Sequence, residues 1–162
     1  MNKFYKVSFE EFNKNFDDIL KAKNMYDDII LPKRATKHSA GYDFFAPFDF
    51  ELRGGESIKI PTGIKCDMNE DLFLAIVPRS SLGFKYKMRL VNTLGVVDCD
   101  YFDNENNEGH IFIKISNENN ENKTLKVNKG EAFAQGIFLK YFLTEDDNVT
   151  ETRTGGIGST NK

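Results

Sequence analysis

L-F-L-A-I-V-P-R-S-S-L-G-F-K, residues Leu72 to Lys85, decides the architecture. Its first six residues are apolar on both faces, as in a strand buried on both sides, and Pro78 ends the run. A polar turn follows at once. A rigid strand therefore delivers Arg79, the hydroxyls of Ser80 and Ser81 and a glycine to one place, a plausible anion site in which a guanidinium can hold oxygens bidentately. Taken alone, the same segment is more often a solvated turn with a surface arginine.

Strand-like runs flank it on both sides. Ser57-Ile58-Lys59-Ile60 alternates, Pro61-Thr62-Gly63 turns, and Ile64-Lys65-Cys66 resumes. Ile111, Ile113 and Ile115 alternate with Phe112 and Lys114, and another strand fits Ala132 to Tyr141. Short strands at this spacing indicate an all-β barrel or sandwich. Asp103–Glu108 and Asn117–Lys123 are rich in Asn and Glu and read as exposed hairpin tips. After Tyr141 the acidic segment from Thr144 to Thr152 loses periodicity, which predicts an extended C-terminal arm over 144–162.

Before the strands, residues 1–28 read as a helical extension. Ser8 and Glu11 form a capping box, and Val7 with Phe12 a hydrophobic staple. Phe9, Phe12, Phe16, Ile19 and Leu20 share one face at helical spacing, which makes the segment an amphipathic helix that docks on the core or on a partner.

With 162 residues the chain is most simply one domain, its β-barrel over 29–143. A net charge of −3 gives no global field toward nucleic acid or anionic membranes, so an anionic ligand must be met by local cations. Cys66 and Cys99 have neither CxxC spacing nor the histidine company of a zinc site, and a disulfide framework is equally unsupported. M-N-K-F-Y-K has no apolar signal core, and the six-residue run Leu72–Val77 is far short of a membrane span. The expectation is a soluble, cytoplasmic protein in a reducing setting.

Two more stretches carry chemistry. In G-V-V-D-C-D-Y, Gly95 to Tyr101, apolar valines lead into Asp98, so its carboxylate leaves a strand at the edge of the core and can orient and deprotonate a water. Tyr101 can offer a flat face to a sugar or base. An Asp-x-Asp-Tyr turn by itself is more often structural. At the C-terminal end, R-T-G-G-I-G-S-T offers backbone N–H groups, hydroxyls and Arg153 for polyphosphate, yet it matches neither a Walker A loop nor a dinucleotide fingerprint.

Together A-G-Y-D-F (Ala40–Phe44), P-R-S-S-L-G-F-K, G-V-V-D-C-D-Y, G-E-A-F-A-Q (Gly130–Gln135) and R-T-G-G-I-G-S-T occur in an order that resembles the five motifs of the trimeric dUTP pyrophosphatase (dUTPase) family, over about residues 29 to 160. That resemblance implies a distorted jelly-roll β-barrel assembled as a homotrimer. Each active site then lies between subunits, and the arm of one chain closes over its neighbours' site. It implies hydrolysis of dUTP to dUMP and pyrophosphate with Mg²⁺ on the triphosphate, keeping uracil out of DNA and supplying dUMP for dTMP synthesis. By the same resemblance Asp98 activates the water, and Arg79, Ser80, the Ser81 main chain and Gln135 hold phosphates. Asn92, Gly95 and Val97 belong to the uracil hairpin, and Tyr101 packs on the deoxyribose and excludes a 2′-hydroxyl. Asp43 supports the metal-bound waters indirectly, and Arg153, Gly155, Gly156, Gly158, Ser159 and Thr160 form the phosphate lid.

The chain departs from the family pattern in five places. Ser81 and the pair Tyr86-Lys87 replace Gly and His-Gly, and seven residues, Phe102 to Glu108, stand where one is usual. Arg153 lies one residue closer to the Gly-Gly pair, and Ile157 replaces the lid phenylalanine that stacks on uracil. The enlarged loop leads to the expectation that Phe102 covers the base instead. Two alternatives remain open: a dCTP deaminase-like enzyme, which typically carries Glu where Asp98 stands, and a non-enzymatic dUTP-sensing regulatory protein.

Overall fold

The structure is a computed structural model and describes residues 1–151, 153 and 155. The buried run becomes β7 (Leu72–Pro78), which pairs antiparallel with β12 (Ala132–Lys140) on one edge and β9 (Gly95–Asp98) on the other. β3 (Tyr42–Phe45) and β2 (Lys33–Arg34) extend this sheet in the order β2-β3-β12-β7-β9. A second sheet sets β10 (Phe112–Asn117) between β5 (Ser57–Pro61) and β8 (Met88–Leu90). β4 (Phe50–Leu52) pairs with β11 (Leu125–Val127), and β6 (Ile64–Asp67) completes the barrel. The result is a jelly-roll-like barrel. Its four longest strands, β5, β7, β10 and β12, are those that the apolar pattern predicts, as is β6, while two- and three-residue strands such as β2, β4 and β11 carry too little alternation to read.

Alternating residues from both sheets meet inside. Ile60, Ile113, Ile115, Leu74, Phe44, Leu125 and Phe133 are almost completely buried. Each large side chain so removed from water contributes about 1.5–3 kcal/mol. Among the described residues, no helix is long and apolar enough to cross a membrane.

The N-terminal region corrects the single-helix expectation. Lys3–Lys6 is a strand, β1, paired with β6, and Phe4 joins the main core. Two short helices follow, α1 (Phe9–Asn13) and α2 (Ile19–Asp27). The break has a local cause: Asp18 accepts a hydrogen bond from the Lys21 N–H and caps a new helix. Phe12, Val7 and Met25 cluster as the staple requires, but Ile19 and Leu20 are exposed. The capping box is half made. Ser8 accepts from the Glu11 N–H, whereas the Ser8 N–H donates to Glu108, 100 residues away.

The two Asn/Glu-rich stretches are also more than exposed tips. Asn117 is fully buried and donates to the Leu52 and Lys123 carbonyls. Buried Asn104 accepts from the N–H groups of Asn106 and Asn107 and donates to the Tyr101 carbonyl, so the 102–108 loop is bonded internally. Their amides replace ladder hydrogen bonds. That use is invisible to a composition argument.

Candidate active site

β9 is an edge strand held close to β7, and Gly95 permits the approach: a Cβ there would lie 2.9 Å from the Ile76 Cβ. From this strand Val97 and Asp98 enter a cleft of about 500 Å³, which Asn92, Gly95, Tyr101 and Arg153 also line. That volume suits a nucleoside-sized ligand. A 3₁₀ turn, Cys99–Tyr101, places the tyrosine directly after the carboxylate.

Tyr101 is buried and held at both ends. Its hydroxyl donates to the His110 carbonyl at 2.9 Å and accepts from the Asn107 amide at 2.8 Å. Burial raises its phenol above the ordinary range, so it remains a donor. Asp98 is half-exposed and pairs with Arg153 at 2.6 Å, while the Arg153 Nε donates to Asp100 at 3.0 Å. The guanidinium also stands 5.7 Å from the Tyr101 ring centre. Arg153 thus sits on two carboxylates of its own chain. Gly155 is buried beyond it. Gly156, Ile157, Gly158, Ser159 and Thr160 lie outside the described residues.

The other expected phosphate ligands gather at the opposite end of β7. Asp98 faces Phe73, and Arg79 follows six residues later, about 20 Å along a strand. There the Arg79 Nε stands 3.4 Å from the largely buried Asp43, and Gln135 is the direct neighbour of Asp43 across the ladder. Gln135 also donates to the Pro78 carbonyl, and Gly41 makes room for it: a Cβ at Gly41 would lie 2.1 Å from the Gln135 Oε1. The turn expected after Pro78 is a helix, α3 (Ser80–Tyr86), with Arg79 as its N-cap and exposed Ser80 and Ser81 in the first turn, where backbone N–H groups lack helical partners. Ser81 replaces glycine here without a left-handed φ. Lys87 does not share that ease, because it closes α3 at φ 52.

Phe102 does not cover the cleft. Its ring packs on Tyr5 at 5.7 Å and lies under the Lys65 ammonium, on the β1–β6 side. Besides Tyr101, the cleft wall carries the ring of Phe112, with Lys59 and Lys114 beside it. Lys59 and Lys114 face each other across β5 and β10. The sequence signal was present, since Phe112 and Lys114 alternate with core isoleucines, but which barrel face meets the cleft is a tertiary matter. Among the described residues no three or more His, Cys, Asp or Glu side chains converge as a metal cage. Both cysteines are free, and burial pushes the Cys66 thiol up to about 12.

A jelly-roll-like barrel with a carboxylate on an edge strand, beside an aromatic platform and a nucleoside-sized cleft, defines a nucleotide-processing class. Comparison with known proteins narrows it. A family model described as dUTPase matches residues 27–161, and the chain belongs to that family. The deoxyuridine 5′-triphosphate nucleotidohydrolase of Lactococcus lactis is 40% identical over 149 residues, which is 91% of this chain and 97% of the relative. Its Haemophilus influenzae counterpart is 35% identical, covering 82% of this chain and 87% of the relative. The crystal structure of dUTPase from Streptococcus mutans superposes with a TM-score of 0.67 at 33% identity, over 88% of this chain and 98% of that one.

Proposed function

We infer that the protein is an enzyme that hydrolyses dUTP to dUMP and pyrophosphate through attack of an Asp98-activated water on the α-phosphorus. One observation carries the reading: Asp98 and the doubly anchored Tyr101 share one cleft at the end of an edge strand. The main chain around Asn92, Gly95 and Val97 reads the uracil edge, and the deoxyribose packs on Tyr101. Water held on the Asp98 carboxylate loses its proton there as it attacks in line. Arg153 must leave Asp98 for this to occur, and the substrate's phosphates are the stronger anion to draw it away.

Arg79, Ser80, Ser81 and Gln135 lie too far along β7 to reach the same substrate from the same chain. A second copy supplies them, with the homotrimer of the resemblance as the assembly, and Gly155, Gly156, Gly158, Ser159 and Thr160 close the phosphate end. When bound with the triphosphate, Mg²⁺ would supply charge neutralisation, and as a hard ion it would need no dedicated cage of protein carboxylates. Asp43, already paired with Arg79, fits a role through those waters rather than direct ligation. Two free thiols fit a cytoplasmic setting.

The test is pyrophosphate release from dUTP, dCTP, dTTP and UTP, with ammonia followed from dCTP. A clear preference for dUTP is expected. Ammonia release, or no preference, would overturn the reading.

A further inference from the structure

The N-terminal region has no part in the chemistry above, yet it is bonded to the loop that holds Tyr101. His110, whose carbonyl takes the Tyr101 hydroxyl, has a ring with no exposed surface. Its Nε2 accepts from the Gly63 N–H at 2.9 Å, so the ring proton sits on Nδ1 and points at the Glu11 Oε1, 3.3 Å away. Phe112 packs on the ring at 4.2 Å between centroids. The second Glu11 oxygen takes the Lys14 ammonium at 2.6 Å, so a carboxylate only 5% exposed has both oxygens engaged. A parallel tie runs through Glu108, which accepts from the Ser8 N–H at 2.9 Å and from its hydroxyl at 2.5 Å, and pairs with Lys65. Burial opposes the charge on Glu108, but the Ser8 bonds and then Lys65 hold its carboxyl below the ordinary range.

We propose that Glu11 is a positioning residue for dUTP selection. Through the His110 ring it fixes the peptide that anchors Tyr101, and so sets the discrimination between deoxyribose and ribose. Rejection of a 2′-hydroxyl on steric grounds needs the tyrosine face placed within about 0.5 Å. Among the described residues the Tyr101 hydroxyl has two partners, the His110 carbonyl and Asn107, and both belong to the stretch that Glu11 and Ser8 tie down. Removing Glu11 leaves a buried Nδ1–H without an acceptor, which the His110 segment relieves by shifting. The enlarged 102–108 loop and the N-terminal helices therefore act as one support for Tyr101, joined through the Glu11–His110 and Ser8–Glu108 contacts.

The proposal rests on Tyr101 being the sugar platform, and the experiment separates the two. Values of kcat and KM for dUTP and UTP are measured for the full chain and for Tyr101→Ala, Glu11→Ala, Glu11→Gln and Ser8→Ala, with a thermal melt of each. Tyr101→Ala is expected to abolish most of the discrimination. Glu11→Ala is expected to lower it about tenfold, mainly through a raised KM for dUTP, the scale of one lost buried hydrogen bond. Glu11→Gln keeps an acceptor for Nδ1–H and restores most of it. If Tyr101→Ala loses discrimination while folded Glu11→Ala keeps the wild-type ratio, the positioning role is wrong and the platform stands. If Tyr101→Ala keeps the ratio, the platform fails and the proposal with it. Should Glu11→Ala not fold, Ser8→Ala decides: a loss of about threefold or more supports the shared support, and an unchanged ratio overturns it.

Discussion

Acid should unlock the protein at His110 before it reaches most of the carboxylates. Burial lowers this imidazole from 6.5 to about 4, against the opposing pull of Glu11 and then Glu108, with Lys59 adding to the depression. Between those two values the unfolded chain binds a proton that the folded one refuses, so stability rises with pH. The contribution is fully present above about 6.5 and is lost as pH falls toward about 4. At 1.36 kcal/mol per pH unit this amounts to about 2 kcal/mol between roughly pH 8 and pH 5, and about 3 kcal/mol by pH 4. Protonation also removes the acceptor for the Gly63 N–H. Urea unfolding at fixed protein concentration, run at steps from about pH 8 to pH 5, measures the slope. His110→Gln, with an amide oxygen for Gly63, should flatten it. Direct observation of the His110 ring by NMR is the cleaner check, with exposed His38 as the internal comparison. Titration of His110 near 6.5, with stability flat over the same range, would refute the reasoning.

Three further outcomes can be checked together. Phe102→Ala should lower the melting temperature by removing a ring from Tyr5 and Lys65, yet leave KM for dUTP unchanged; a KM raised equally for dUTP and UTP would restore the lid role over the base. Lys87→Gly should stabilise by up to about 1 kcal/mol in urea unfolding, because a left-handed residue with a Cβ is strained at φ 52; a loss of stability would contradict this. Mixing inactive Asp98→Asn and Arg79→Ala chains under conditions that exchange subunits should recover part of the dUTP activity, since each supplies what the other lacks. Mixtures that stay inactive would mean the two ends of β7 do not serve one shared site.

The barrel was legible because burial leaves a periodic trace. Leu72–Val77 is apolar on both faces and stops at a proline, which favours a covered strand, and Ile111-Ile113-Ile115 marks the other sheet. The candidate site was legible for a different reason: its residues sit at strand ends, where Asp98 and Tyr101, or Arg79 and Ser80, are neighbours in sequence. What could not be read was long-range. Glu11 reads as half of a capping box, because nothing local says that a histidine 99 residues later takes its carboxylate. Phe102 looked like a lid for want of a rival partner, and Tyr5, on a four-residue strand hidden in K-F-Y-K, is that partner. The break between α1 and α2 did have a signal in Asp18, which a helix period spanning Phe9 to Leu20 overrode.

The central claim is that Asp98 is the base in dUTP hydrolysis, and single-turnover pyrophosphate release by Asp98→Asn tests it most directly. The amide fills the same space but cannot take the water's proton. The account predicts a fall in the chemical step of about a hundredfold or more, with dUTP still bound in the cleft. An Asn variant that turns over dUTP at the wild-type rate would contradict it.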